Sequence, residues 1–249
     1  MYSPIQLAFK YFKYYLTASN GKGHGTHSPF VFEFINEVLN DNRQFYSYQL
    51  IEEKRTQLLN DGRKLAVQDF GAGSSTIKTN ERTVASIAKS SLKPKKFSQL
   101  LFRMVDHYQP KTILELGTSL GITTSYLASA KPNATVITME GSSSIAQIAK
   151  ENFNQLHLKN IEVIEGNFDE TLSSIVHRLS PIDLAFIDGN HRYQPTVQYF
   201  EQILSKTNDY SIIILDDIHW SVEMEQAWQY VQQHKAVTMT IDLFFIGIV

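Results

Sequence analysis

From about Phe97 onward, short apolar runs alternate with stretches whose apolar residues recur at helical spacing. The runs are TILEL (112–116), TVITME (135–140), IEVIEG (161–166), IDLAFID (182–188) and SIIILDD (211–217). Helical periodicity follows them near 122–130, 143–155, 169–179 and 193–205, and again in SVEMEQAWQYVQQHK (221–235). Nearly continuous apolar strands alternating with helices predict a parallel sheet covered on both faces. Two last strand-like runs, AVTMTIDL and FFIGIV, are joined too tightly for a crossover and predict an antiparallel hairpin. The expected fold is α/β: a seven-stranded, mostly parallel sheet over residues 96–249, preceded by a helical cap over residues 1–95.

The first 95 residues read as helices between polar loops. In THSPFVFEFINEVLN, Ser28 is the expected N-cap and Pro29 the first helical residue, with Phe30, Phe34 and Val38 on one apolar face. YQLIEEKRTQLLNDG reads as a second helix closing at Gly62, and ERTVASIAKSS as a third. At the start of the chain Ile5, Phe9, Phe12 and Leu16 recur at helical spacing, with Lys10 and Lys13 between them. An interfacial membrane helix has this look. A surface helix docked through its apolar stripe, on its own domain or on a second copy, is preferred, which makes the N-terminal helices the expected homodimer surface.

Composition adds exclusions. With 43% hydrophobic and 19% charged residues the chain reads as an ordinary globular protein, and its formal net charge of -2 gives no field that favours nucleic acid. The basic run Lys93–Lys96 is short and is expected to be solvated surface. Cys is absent, which removes disulfides and thiolate metal sites and fits a cytoplasmic setting. No run approaches the ~20 apolar residues of a spanning helix.

Five parallel units closed by a hairpin resemble the Rossmann-like fold of class I S-adenosylmethionine (SAM) methyltransferases, whose last strand enters the sheet antiparallel. Two glycine loops compete for the cofactor, DFGAGSS (69–75) and ELGTSLGITT (115–124). Ligands of open α/β sheets sit beyond the carboxyl ends of the strands, at the switch point. The second loop has an apolar strand before it and a helix directly after it. Its E-x-G-x-x-x-G spacing differs from the G-x-G-x-x-G that cradles a pyrophosphate, and SAM has no phosphate. Gly117 is expected to let the backbone pass close to the ligand, and Gly121 to complete the turn. Glu115, Thr118 and Ser119 are the other cofactor residues expected from this loop. Glu140 ends the next strand, 23 residues after Gly117, where a carboxylate accepts the ribose hydroxyls, with Gly141 beside it. Asn167 and Phe168 follow the third strand, facing the adenine or forming an ordinary turn. DFGAGSS lacks that company; it is either a turn or a part of the cap whose Asp69, Ser74 and Ser75 face the acceptor.

AFIDGNHRY sets Asp188 at the end of the fourth strand, and IIILDDIHW sets Asp216 and Asp217 at the end of the fifth, its neighbour. Three converging carboxylates suit a hard cation such as Mg²⁺, which would acidify a bound hydroxyl. Alternatively, Asp216 and Asp217 cap the helix near Ser221. His191, three residues after Asp188, is placed to act as general base, and with Asp188 forms the expected catalytic pair. The stretch from Glu115 to Asp217 resembles the metal-dependent branch of class I O-methyltransferases, the catechol, caffeoyl-CoA and macrolide-sugar types. That resemblance implies metal ligands at Asp188, Asp216 and Asp217 and a base at His191. The Asp-Asp pair departs from the Asp-Asn of the catechol type. The function so implied is SAM-dependent O-methylation of a small hydroxylated acceptor. An NAD-dependent oxidoreductase and a non-catalytic protein retaining the fold are the competing readings.

Overall fold

The computed structural model describes residues 1–18, 28–68, 81–179 and 181–249. The core sheet is built from β3 (Thr112–Leu116), β4 (Thr135–Glu140), β5 (Ile161–Glu165), β6 (Leu184–Ile187), β7 (Ile212–Asp216), β8 (Ile241–Asp242) and β9 (Ile246–Ile248). Their order across the sheet is β5-β4-β3-β6-β7-β9-β8, with β9 antiparallel to both β7 and β8 and all other pairings parallel. The order reverses between β3 and β6, so a crevice opens there at the carboxyl ends of the strands. The closing hairpin is shorter than its apolar runs suggest, because only Ile241–Asp242 of the first run pairs.

Alternation along the strands decides which side chain meets which layer. Ile113, Val136 and Phe186 face α5 (Lys95–Tyr108) and α6 (Ile122–Ala130), in a cluster that also buries Phe34 and Val38. Leu114, Ile137 and Ile187 face the other way, onto α8 (Phe168–Arg178), α9 (Tyr193–Leu204) and α10 (Val222–Gln233). Glu115 shares the parity of Ile113 and therefore lies beneath α6. That parity decides its role.

The N-terminal part begins with α1 (Pro4–Thr17) and continues with α2 (Pro29–Glu33), which passes into a π-helical turn over Phe34–Leu39. Ser28 caps α2 by accepting from the Val31 N–H at 3.4 Å, as the sequence predicts. α3 (Tyr46–Leu59) and α4 (Val84–Ser91) flank a two-stranded antiparallel pair, β1 (Lys64–Ala66) and β2 (Glu81–Thr83). The first three residues of the expected third helix are thus strand, and Thr83 caps α4 by accepting from the Ser86 N–H at 3.1 Å. Tyr48, Ile51 and Val84 share one cluster with Phe102, Tyr126 and Ile148, so packing is continuous across residue 95.

α1 docks on its own domain through a face other than its apolar stripe. Tyr2 and Lys10 bind Glu225, the Tyr2 hydroxyl at 2.7 Å and the Lys10 ammonium at 2.8 Å. The Tyr14 hydroxyl donates to the Asp242 carbonyl at 2.9 Å, and Tyr11 meets Phe244 edge-on. The stripe of Ile5, Phe9, Phe12 and Leu16 is left exposed. Polar anchors on the sheet side outweigh the stripe in orienting this helix. No helix among the described residues is long and apolar enough to cross a membrane.

Candidate active site

The crevice at the switch point is a cleft of about 540 Å³. Gly117, Ser119, Glu140 and Gly141 line it on the side of β3 and β4. Asn167, Phe168, Asp188, His191, Asp216 and Asp217 line it as well. Three of the expected cofactor residues do not reach it. Glu115 is fully buried; its Oε2 accepts from the Thr124 hydroxyl of α6 at 2.5 Å and from the Thr138 hydroxyl of β4 at 2.6 Å. Thr118 turns inward onto the Thr138 hydroxyl at 2.6 Å. Gly121 starts α6 and is absent from the cleft wall.

Both glycines of the loop answer to the protein's own packing. At Gly117 (φ +104°) an added Cβ would stand 1.9 Å from the Asp188 carbonyl oxygen, so the β3–β6 approach is enough by itself to require glycine there. At Gly121 (φ +80°) it would meet the Phe153 ring at 2.5 Å. The loop is thereby pressed against the strand that carries Asp188. Gly189 is similarly confined, with a Cβ reaching the Phe168 ring at 2.7 Å.

Glu140 organises the loop. Its Oε2 accepts from the Ser119 N–H at 2.8 Å and its Oε1 from the Ser142 N–H at 2.9 Å. Asn167 caps α8 through the Asp169 N–H at 3.2 Å and also lines the cleft. Ser119, Asn190, His191 and Asp217 all hold positive φ, a concentration of left-handed backbone at one cleft.

The acids do converge, but around a lysine. The Lys93 ammonium contacts the Asp216 carboxylate and lies 3.8 Å from Asp188 Oδ2; its side chain is 7% exposed. It also sits 5.5 Å from the centre of the Phe186 ring. The basic run expected at the surface therefore sends one member into the interior, while Lys95 and Lys96 stay exposed. His191 Nε2 lies 3.5 Å from Asp188 Oδ1, and its ring is tilted against Trp220 at 5.7 Å. The helix-cap reading of Asp216 and Asp217 fails, because Ser221 caps α10 itself by accepting from the Met224 N–H at 3.2 Å.

Electrostatics follow from this packing. Burial opposes charge on Asp188, yet Lys93 and His191 hold its carboxyl well below the usual carboxylate range. Burial and the Asp188 charge push Asp216 up, and burial raises Asp217. Burial likewise opposes charge on Lys93, but Asp216, Asp188 and Asp217 more than offset it and raise its pKa. At His191 burial is outweighed by Asp188, Asp217 and Asp216, bringing its pKa to about 9. His191 is thus an imidazolium at neutral pH, not the free base that an unperturbed ring would be. Glu115 is pushed up to about 8 by burial.

A divalent cation does not fit this donor set as arranged. The ammonium stands against Asp216 and beside Asp188, where a shared ion would lie, and like charges repel most strongly where water is excluded. Among the described residues no group of three or more His, Asp or Glu side chains has the geometry to hold a metal. The sequence reading missed Lys93, Trp220 and Gln68 as cleft residues. Only Lys93 left a signal, a lysine set between Leu92 and Pro94. DFGAGSS lies outside the described residues, although Gln68 and Arg82 on either side of it line the cleft.

Comparison with known proteins agrees with this arrangement. Residues 114–218 match a family model described as a methyltransferase domain. A catechol O-methyltransferase of Niastella koreensis is 31% identical over 145 residues, covering 56% of this chain and 63% of the relative, less than two thirds of its length. Among solved structures, an O-methyltransferase of Bacillus cereus in complex with SAH superposes with a TM-score of 0.59 at 19% identity, over 84% of this chain and 92% of that one. The SAH-bound Podospora anserina methyltransferase PaMTH1 gives 0.61 at 12% identity, over 100% of this chain and 96% of that one. Strand order, switch-point cleft and matched span point the same way: residues 114–218 are similar to a methyltransferase domain, and the fold is that of the solved O-methyltransferases.

Proposed function

We propose that the chain is a SAM-dependent O-methyltransferase for a small hydroxylated acceptor. The observation that carries this reading is that one cleft holds both the Glu140-braced glycine loop and the Asp188–His191 pair. Glu140 would accept the ribose hydroxyls, with Ser119 and Gly117 along the loop and Asn167 and Phe168 beside the adenine. SAM supplies the methyl group: its C–S bond breaks with the electron pair left on sulfur as the new C–O bond forms. The acceptor proton passes to His191 at Nδ1, the nitrogen opposite the one that faces Asp188. Asp188 fixes the ring and stabilises the imidazolium that results. Since His191 already carries a proton at neutral pH, turnover should rise as pH approaches about 9. Metal activation of the hydroxyl was the expectation from the acid cluster; with Lys93 in place, no step of this reading runs through a metal. A small acceptor is favoured over nucleic acid by the acids at the cleft and the net charge of -2.

Calorimetric titration with S-adenosylhomocysteine tests the reading, followed by incubation with SAM and a panel of phenols and catechols read by mass spectrometry. The expected result is binding that Glu140→Ala weakens at least about tenfold, roughly 1.4 kcal/mol, with methylated product from at least one acceptor. A chain that ignores S-adenosylhomocysteine and binds NADH would be an oxidoreductase.

A further inference from the structure

We propose that the Lys93 ammonium is the resident cation of the acid cluster, taking the place a divalent metal would occupy, so that the site works without metal. The placement is built from several independent contacts. Lys93 is 8% exposed, touches Asp216, lies 3.8 Å from Asp188 and stands over the Phe186 ring. Its backbone is clamped from behind. Arg55 Nη1 donates to the Lys93 carbonyl at 2.9 Å, Arg55 Nε pairs with Glu52 at 3.0 Å, and the Tyr126 hydroxyl donates to the same Glu52 oxygen at 2.8 Å. Pro94 follows directly and restricts Lys93 to an extended backbone, which points the chain into the cleft before α5 begins.

Such placement has no explanation in local structure. A cation just ahead of a helix start opposes the helix dipole, and a buried lysine is tolerated only when paired. The acid cluster supplies the pairing. Asp216 Oδ1 remains buried with no hydrogen-bond partner, so the cluster is not saturated by its own residues and has an oxygen left to ligate a cation if the lysine is removed. Lys93 is accordingly a positioning residue, setting Asp188 and Asp216 and through Asp188 the His191 ring. The chemical meaning of this rests on the methyltransferase reading; the cation assignment does not.

The test is a Mn²⁺ titration of the full chain, followed by electron paramagnetic resonance, with and without S-adenosylhomocysteine. It compares the unaltered chain with Asp216→Asn, Lys93→Met and Lys93→Met/Asp216→Asn. The unaltered chain should leave Mn²⁺ free up to about 1 mM, the weak end of protein oxygen sites. Lys93→Met should gain affinity by about tenfold or more, and adding Asp216→Asn should erase the gain. A merely structural lysine would not create an Asp216-dependent ion site when removed. Mn²⁺ bound by the unaltered chain and lost in Asp216→Asn overturns the proposal, as does a folded Lys93→Met that gains nothing. If Lys93→Met does not fold, the first two proteins still decide. Binding of S-adenosylhomocysteine in the same samples reads the methyltransferase assignment separately, so the failure of one is distinguishable from the failure of the other.

Discussion

Gly117 shows how little room the site allows a single residue. A methyl group there would lie 1.9 Å from the Asp188 carbonyl, and neither strand end can yield without moving the Asp188–His191 pair. Gly117→Ala should therefore lose about 3 kcal/mol in denaturant unfolding, from overpacking combined with a left-handed backbone, and should weaken S-adenosylhomocysteine binding as well. A stability within about 0.5 kcal/mol of the parent would mean that β3 and β6 are not locked in this way. The sequence marked Gly117 as special, though for a ligand that the residue need not touch. Glu115 shows the opposite failure. Its place two residues before the glycine suggested a cofactor contact, and strand parity instead turns it under α6 onto Thr124 and Thr138.

At the scale of elements, the core strands and helices were legible because periodicity reports burial directly. β3, β4, α6 and α7 (Ser143–Gln155) match their expected bounds. α1 was legible as a helix but not in orientation. Its stripe is apolar, yet four polar or aromatic contacts to Glu225, Asp242 and Phe244 decide which face docks. Glu225 is the common anchor, accepting from Tyr2 and Lys10 while facing His219 at 3.2 Å. Glu225→Ala should loosen α1 without unfolding the sheet. Hydrogen exchange over residues 4–17 should rise about tenfold, with the sheet strands unchanged; unaltered exchange in α1 would mean that its aromatic contacts suffice.

For the whole molecule, pH is the variable that couples the site to stability. His191 has a folded pKa of about 9, above its unfolded value, so its contribution is fully present below about 6.5 and lost as pH rises through about 9. Glu115, held neutral by burial with a pKa of about 8, acts in the same direction: the unfolded chain releases a proton that the folded one keeps. Thermal unfolding should therefore move to lower temperature between about pH 6.5 and 9. His191→Gln should flatten that slope, and a flat profile in the unaltered chain would contradict the Asp188–His191 pairing. Under the proposed mechanism turnover and stability would then trade off, since the pH at which His191 can take a proton is the pH at which the fold loses its help.

By itself the sequence determined the layered α/β sheet, the glycine loop after β3 and the acids at the ends of β6 and β7. These follow from local rules: apolar runs make strands, and the carboxyl end of a strand is where the chain turns over the crevice. Only the tertiary structure decided what the acids face. Lys93 arrives from a separate segment between α4 and α5, held by Arg55 and Glu52 of α3, and nothing in the alternation of the sheet announces it. Periodicity encodes which side of an element is buried, whereas an ion pair between distant segments depends on how whole layers are stacked. The acids were readable in the sequence, and their electrostatic partner was not.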